Sequence, residues 1–307
     1  MKKPERVSYD EFTKTISMFW RDNNWEESIK KEVDAYADSL SEKLKGIDSK
    51  KGLLEYIRND KQSLTNILAL LEIPEEKFKR IISLLRREQK YVFASEWSLE
   101  KTRSMIIDDS VGTFRDEVCE LLLNGSESEK FKRKIPDFYR ESFKIDSTTM
   151  KKLNDKEELR KLAKKQLENK YVSGVTASVL KKVEEYVKLT CDLEGLTYEK
   201  NKPVEGFDRE FTFIIPNSKT PQILITCSYN ITTSSTQSKF KTSVIHARDI
   251  IKKEALGITT VNIIEGAGWI GRQSDLKTIY ENSDYVLNIS NIGRLDAIIK
   301  YGMEAKV

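Results

Sequence analysis

The sequence predicts an all-helical N-terminal half followed by an α/β domain, a mixed β-sheet flanked by helices. From Tyr9 to about Gly125, apolar residues recur at helical spacing. Beyond Lys170 the texture changes to short alternating or β-branched runs divided by helical stretches. At 307 residues the chain is long enough for two domains, placed at 1–170 and 171–307. Only 38% of residues are hydrophobic and 33% are charged. Because apolar periodicity persists nearly throughout, that balance reads as much solvated helix rather than disorder.

In the first half, Phe12, Ile16, Phe19 and Trp20 make one apolar stripe. Ser63 is placed to cap a helix running through Leu71. Pro74 to Tyr91 follows, with Pro in the first turn and Phe78, Ile81, Ile82 and Leu85 at i, i+3, i+4 and i+7. This pair resembles a helix-turn-helix whose second helix presents Lys77, Lys79, Arg80, Arg86 and Arg87, and Lys77 and Arg80 are the candidate DNA contacts. The same residues equally describe a helical hairpin with a solvated basic face, since Glu75, Glu76 and Glu88 are interspersed. Asn124-Gly125-Ser126 stops the next helix, and KFKRKIP is a basic connector ending at Pro136. Asp146 and Ser147 are caps for a further helix, and Lys156 to Glu168 is a charged helix with Leu159, Leu162, Ala163 and Leu167 inward.

The second half opens on an amphipathic helix from Thr176 to Glu194. A strand is expected around Leu196 to Val204, then Glu210 to Ile215, whose residues alternate with period two. Pro216 ends that strand, Asn217 to Pro221 turn the chain, and Ile223 to Tyr229 returns as a strand that passes from apolar to polar. A helix lies within Ser234 to Ala255, and the β-branched run Thr259 to Ile264 suits a strand buried on both faces. Ser274 caps a helix through Glu281, and Tyr285 to Ile289 is a last strand. A three-strand meander followed by a helical crossover to another strand results.

Net charge is +4 with both signs mixed, which permits nucleic-acid binding without demanding it. Three dispersed cysteines and a single histidine, His246, argue against a zinc site. The odd cysteine count suits a reducing compartment, and MKKPERVSYDEFTK lacks the apolar core of a secretory signal. No run approaches the roughly 20 apolar residues of a membrane span. The expectation is a soluble, cytoplasmic protein. No Walker-type loop, no GxGxxG after a strand and no usable Ser-His-Asp layout is evident.

The landmarks FDREFTFII, ILITCSYN, ITTSSTQSKFKTS and VNIIEGAGWIGRQSDL, in that order, resemble the PD-(D/E)XK nucleases and, in linear detail, the DpnII-type restriction endonucleases. The resemblance covers roughly Tyr171 to Ile299. It implies a PD-(D/E)XK-like mixed sheet, hydrolysis of duplex DNA at a specific sequence, a homodimer, and dependence on Mg2+, with Mn2+ as a substitute. Such chemistry uses a divalent ion on hard carboxylate ligands to polarise the phosphate and acidify the attacking water.

The match departs from the family at its acids. Thr226 stands at the position of the metal-binding glutamate of the second strand, Ser228 two residues on, and Thr212 at that of the first aspartate. In an active reading Asp208 and Glu210 supply the carboxylates, Glu184 (or Glu185) approaches from the preceding helix, and Gln237 and Lys239 reach phosphate or water. Thr233, Ser234 and Ser235 then lie against the DNA backbone, although the same loop suits a simple helix cap. Thr226 and Ser228 complete the catalytic set by position. In the alternative reading the acid at 226 is lost, naturally or by engineering, and a degenerate nuclease fold serves DNA binding or interaction. Trp269 reads as a packing residue, and His246, between apolar neighbours on a helix, as structural rather than a general base.

Overall fold

The computed structural model describes residues 2–91, 95–109 and 112–304, so the parts of the predicted helical pattern at 92–94 and 110–111 lie outside the described residues. Contacts divide the chain into two compact units, Met1–Asn23 with Val172–Val307, and Asn24–Tyr171. The first 23 residues thus group with the sheet rather than with the helical half to which the sequence division at 170 assigns them.

A short helix, α1 (Tyr9–Thr15), opens the chain. The helical unit then contains α2 (Asn23–Lys43), α3 (Lys50–Asn59), α4 (Ser63–Leu70), α5 (Glu75–Glu88), α6 (Leu99–Asp108), α7 (Thr113–Asn124), the single turns α8 (Glu129–Lys132) and α9 (Asp137–Arg140), and α10 (Ser147–Lys152). Their apolar faces close on one core that includes Leu53, Ile67, Phe78, Leu85, Phe114, Leu122 and Phe143. Asp146 caps α10 as expected, accepting from Thr148 and Thr149 N–H. Ser63 does not cap α4. It is the first helical residue, fully buried, and its hydroxyl is directed at the Ile57 carbonyl instead.

The predicted break between two helices near Lys170 is absent: α11 runs unbroken over Lys156–Glu194, 39 residues, and the boundary between the units falls inside it. Gly174 is the only residue there that suggests a stop, and a lone interior glycine disfavours a helix by only about 1 kcal/mol. No helix among the described residues is long and apolar enough to cross a membrane.

In the sheet unit, β1 (Glu199–Pro203), β2 (Glu210–Ile215), β3 (Ile223–Tyr229), β4 (Thr259–Glu265) and β5 (Tyr285–Leu287) form one five-stranded sheet in the order 1-2-3-4-5. The first three strands are an antiparallel meander, and β3, β4 and β5 are parallel. Between β3 and β4 the chain crosses over through α12 (Ser235–Lys253), and α13 (Ala267–Ile270) and α14 (Gln273–Glu281) join β4 to β5. Ser274 lies inside α14, one residue past its start, and caps nothing; Arg272 holds the N-cap position without a side-chain cap bond. A 3-10 segment (Ile289–Arg294) and α15 (Leu295–Glu304), which the sequence reading did not foresee, end the described chain.

Each sheet face has its own core. Phe213, Ile215, Ile225, Val261 and Ile263 pack with Val183 and Val187 of α11 and Ile298 and Ile299 of α15. Phe211, Ile214 and Leu224 pack with Ala247 and Ile251 of α12. The N-terminal arm belongs to the first of these cores through Val7, Phe12 and Ile16. The expected stripe of Phe12, Ile16, Phe19 and Trp20 is not realised, because the helix stops at Thr15 and Phe19 is 71% exposed. Past Ile16 the arm is irregular, with a bend at Met18 and Phe19, and its backbone docks on the end of β4: Gly266 N–H donates to Ser17 O (3.0 Å) and Ala267 N–H to Met18 O (2.9 Å).

Two features hold that junction. Gly266 (φ +104°) and Gly268 let the turn after β4 lie on the loop after β3. A Cβ at Gly266 would meet Asn230 O at 2.2 Å, and one at Gly268 would meet Thr232 O at 2.4 Å. Beside them the buried Glu265 carboxylate accepts from Ser17 N–H (2.7 Å) and Ile289 N–H (2.5 Å). Burial pushes its pKa up to about 7 against the pull of those two donors.

Gly266→Ala and Gly268→Ala are each expected to lower unfolding free energy by about 2 kcal/mol or more in urea titrations, because backbone must shift. Gly293→Ala, with open space around it, is expected to stay within about 0.5 kcal/mol of wild type. Glu265 yields a second prediction. Its folded pKa lies above that of an unfolded glutamate, so between pH 4.5 and about 7 the folded state binds the extra proton. The Glu265 contribution is therefore most favourable at the acid end and is lost as pH rises through 7. Relative to Glu265→Gln, the wild-type melting temperature should fall across that window, by an amount worth at most about 3 kcal/mol. A constant difference would disprove the assignment.

Candidate functional site

The strand pair β2–β3 forks. Its ladder ends at Phe213↔Ile225, and beyond it the Thr212 hydroxyl, rather than a backbone carbonyl, accepts the Cys227 N–H (3.0 Å). The chain leading into β2 carries Asp208 and Arg209, β2 begins with Glu210, and β3 carries Thr226 and Ser228. One face of α12 lies alongside and adds Lys239, Thr242, Ser243, His246 and Asp249, which recur at helical spacing. Together with Asp208, Ser238 and Ile245 they line an open groove of about 610 Å³.

Arg209 governs the inner end of this region. Its guanidinium donates to Thr226 Oγ1 (3.0 Å) and to Ser243 Oγ (2.8 Å), and lies 5.0 Å from the Phe211 ring and 5.6 Å from the Phe240 ring. Burial pulls its pKa down to about 10, and nearby Asp208 acts in the opposite direction. The position expected to bear a metal-binding acid is thus occupied by a buried threonine bonded to a cation.

His246 stands at the outer end, with Nδ1 3.0 Å from Asp208 Oδ1. The two side chains are 51% and 68% exposed, so solvent reaches both. The single histidine, read from sequence as a structural residue, faces the groove and meets a carboxylate from 38 residues earlier. The available signal was the helical spacing Lys239, Ser243, His246, which places it with the polar residues of α12 rather than with Val244, Ala247 and Ile251.

The expected ligands are not gathered around one point. Glu184 accepts from Tyr198 Oη (3.0 Å) and Lys200 Nζ (2.6 Å), which hold its carboxyl below the usual range. Asp208 is engaged by His246, and Glu210 is exposed. Among the described residues no three His, Cys, Asp or Glu side chains lie close enough to share an ion. As placed, Asp208, Glu210 and Glu184 do not fit one magnesium ion.

The other expected residues divide between groove and scaffold. Lys239 lines the groove, with no acidic partner among the described residues. Gln237 is fully buried and closes the capping box of α12 with Ser234, accepting from its N–H (2.8 Å). Ser228 accepts from Asn230 Nδ2 (2.8 Å). Thr233, Ser234 and Ser235 are exposed; Arg272 ties down the Ser234 carbonyl (2.9 Å) and also pairs with Asp275, to which Lys241 is bonded (2.7 Å). Trp269 is wholly buried, as its packing role requires. In the helical unit, Lys77 donates to Phe138 O (3.2 Å), and Arg80 pairs with Glu96 and Glu76.

A search of curated proteins finds none that matches the chain. The family described as the BanI C-terminal domain matches residues 132–304, which takes in the whole sheet and more than half of the sequence. The chain therefore belongs to the BanI C-terminal domain family and is a restriction-endonuclease-like protein.

Proposed function

We propose that this protein hydrolyses phosphodiester bonds of duplex DNA at a specific sequence, as a type II restriction endonuclease acting as a homodimer. The family match carries the reading, since it spans the sheet, the fork and the groove. The topology supports its placement among PD-(D/E)XK-like folds: a helix, an antiparallel meander, and a crossover helix to a parallel strand. The groove chemistry agrees. A DNA backbone is a line of phosphates, and Lys239 offers a cation on the groove face of α12, beside the hydroxyl of Ser238. Two-fold pairing of subunits would match the symmetry of a palindromic site.

The Arg209–Thr226 bond favours a second reading, in which the fold binds DNA and does not cut it. Incubation of the purified protein with unmethylated phage DNA, in magnesium, manganese or EDTA, separates the two. Discrete fragments are expected. Retarded DNA that stays intact under every condition would establish the binding protein in place of the nuclease.

A further inference from the structure

We propose that the turn carrying Phe138 and Tyr139, in the helical unit, is a DNA contact: the Phe138 ring wedges against a base step of duplex DNA while Lys77 and Arg133 take flanking phosphates. The proposal rests on the endonuclease reading above for its partner and adds a contact residue outside the groove.

An exposed aromatic ring leaves a large apolar surface in water, and here two such rings are adjacent. Phe138 is 75% exposed and Tyr139 49%. The rings meet edge to face, with centres 5.5 Å apart and planes at 84°, so that one protrudes and the other braces it. Lys77 of α5 closes the base of the pair. Its Nζ donates to the Phe138 carbonyl (3.2 Å) and lies 6.0 Å and 5.8 Å from the centres of the two rings. The turn is fastened on both sides. Pro136 stands at the N-cap of α9, the Ile135 side chain before it and the Phe143 side chain beyond it are buried, and the buried Arg140 donates to the Ser126 carbonyl and to Asp137. A ring presented on a fixed backbone loses little freedom when a partner covers it.

The charge around the pair identifies the partner. From Glu129 to Arg140 the chain has five basic residues and two acidic ones, a net +3 in a protein whose total is +4. Arg133 is exposed and has no acidic partner among the described residues. Lys132 and Lys134 are held by Glu129 and Glu88 (2.6 Å each), in surface pairs that contribute little and exchange readily for phosphate. An apolar ring flanked by cations is the combination that proteins insert between base steps from the minor groove: the cations neutralise the backbones on either side, and the ring replaces part of the base stacking it disrupts. The family match begins at residue 132 and so takes in this turn together with the sheet.

The test uses the full chain and a short fluorescein-labelled duplex, with binding read by anisotropy across a salt series, in EDTA and again in calcium. Phe138→Ala is expected to weaken binding about 10-fold, as the loss of one stacked ring should, and to leave the slope of log affinity against log salt unchanged. Lys77→Ala and Arg133→Ala should each reduce that slope by about 0.9. Phe138→Trp should bind like wild type. Because Phe138 and Arg133 are exposed, their variants should keep the wild-type melting temperature. On a duplex whose thymines are replaced by iodouracil, irradiation should crosslink the peptide that holds Phe138 and Tyr139. Phe138→Ala binding at wild-type affinity, or crosslinks confined to other peptides, overturns the inference and leaves the endonuclease reading standing. Tighter binding to the single strand than to the duplex also overturns it, in favour of a single-strand platform. Wild type that binds no DNA in either buffer overturns it as well, and the cutting assay above then decides the endonuclease reading by itself.

Discussion

Arg209 sits where β2 and β3 separate, and the local structure is arranged around its charge. A guanidinium withdrawn from water must be given acceptors, and here they are the hydroxyls of Thr226 and Ser243 with the faces of Phe211 and Phe240. One strand and one helix are thereby fastened to the segment that leads into β2. The same charge sets what the site can hold. At an effective dielectric near 20, a divalent ion roughly 5 Å from a guanidinium would be opposed by about 7 kcal/mol, which carboxylates would have to offset. They are not assembled there: Glu184 is satisfied by Tyr198 and Lys200, and Asp208 by His246.

The groove itself depends on a second, purely steric constraint. Its wall is α12, whose start is fixed by the Ser234–Gln237 capping box and by Arg272 reaching back from the segment before α14. That segment can approach only because Gly266 and Gly268 bring backbone against backbone at Asn230 and Thr232. The N-terminal arm completes the junction by adding its own carbonyls at Ser17 and Met18 and by giving its Ser17 N–H to the buried Glu265. The turn after β4, with the buried Glu265 side chain at its start, is thus the point where three distant parts of the chain meet.

This explains what could be read from the sequence and what could not. The strands β2, β3 and β4 were legible because period-two alternation and β-branched runs report directly on a pleated, buried surface. The α12 cap was legible because Ser and Thr hydroxyls have a local capping mechanism, although Gln237, read as reaching phosphate or water, closes the capping box instead. The extent of α11 was not, because Gly174 carries a small local penalty that packing along 39 residues overrides. The docking of residues 17–18 was illegible for a different reason: the arm contributes only main-chain groups, bonded to backbone and to the Glu265 carboxylate some 250 positions away, and no side-chain pattern of the arm encodes them.

The candidate site shows the same division at the scale of single residues. Sequence singled out the stretch from Asp208 to Lys239, since polar residues at the mouth of buried strands have few structural uses. It assigned partners by analogy across β2 and β3, taking Asp208, Glu210 and Thr226 as neighbours in function. Strand parity fixes only which face a side chain leaves from, and Asp208 precedes the strand, where parity no longer applies. Freed of the ladder, it bonds to His246 on α12, while the residue next to it turns inward to Thr226. Adjacent residues of opposite charge therefore serve opposite ends of the site: the arginine closes the inner end, and the aspartate gives the outer end a histidine held in a defined orientation.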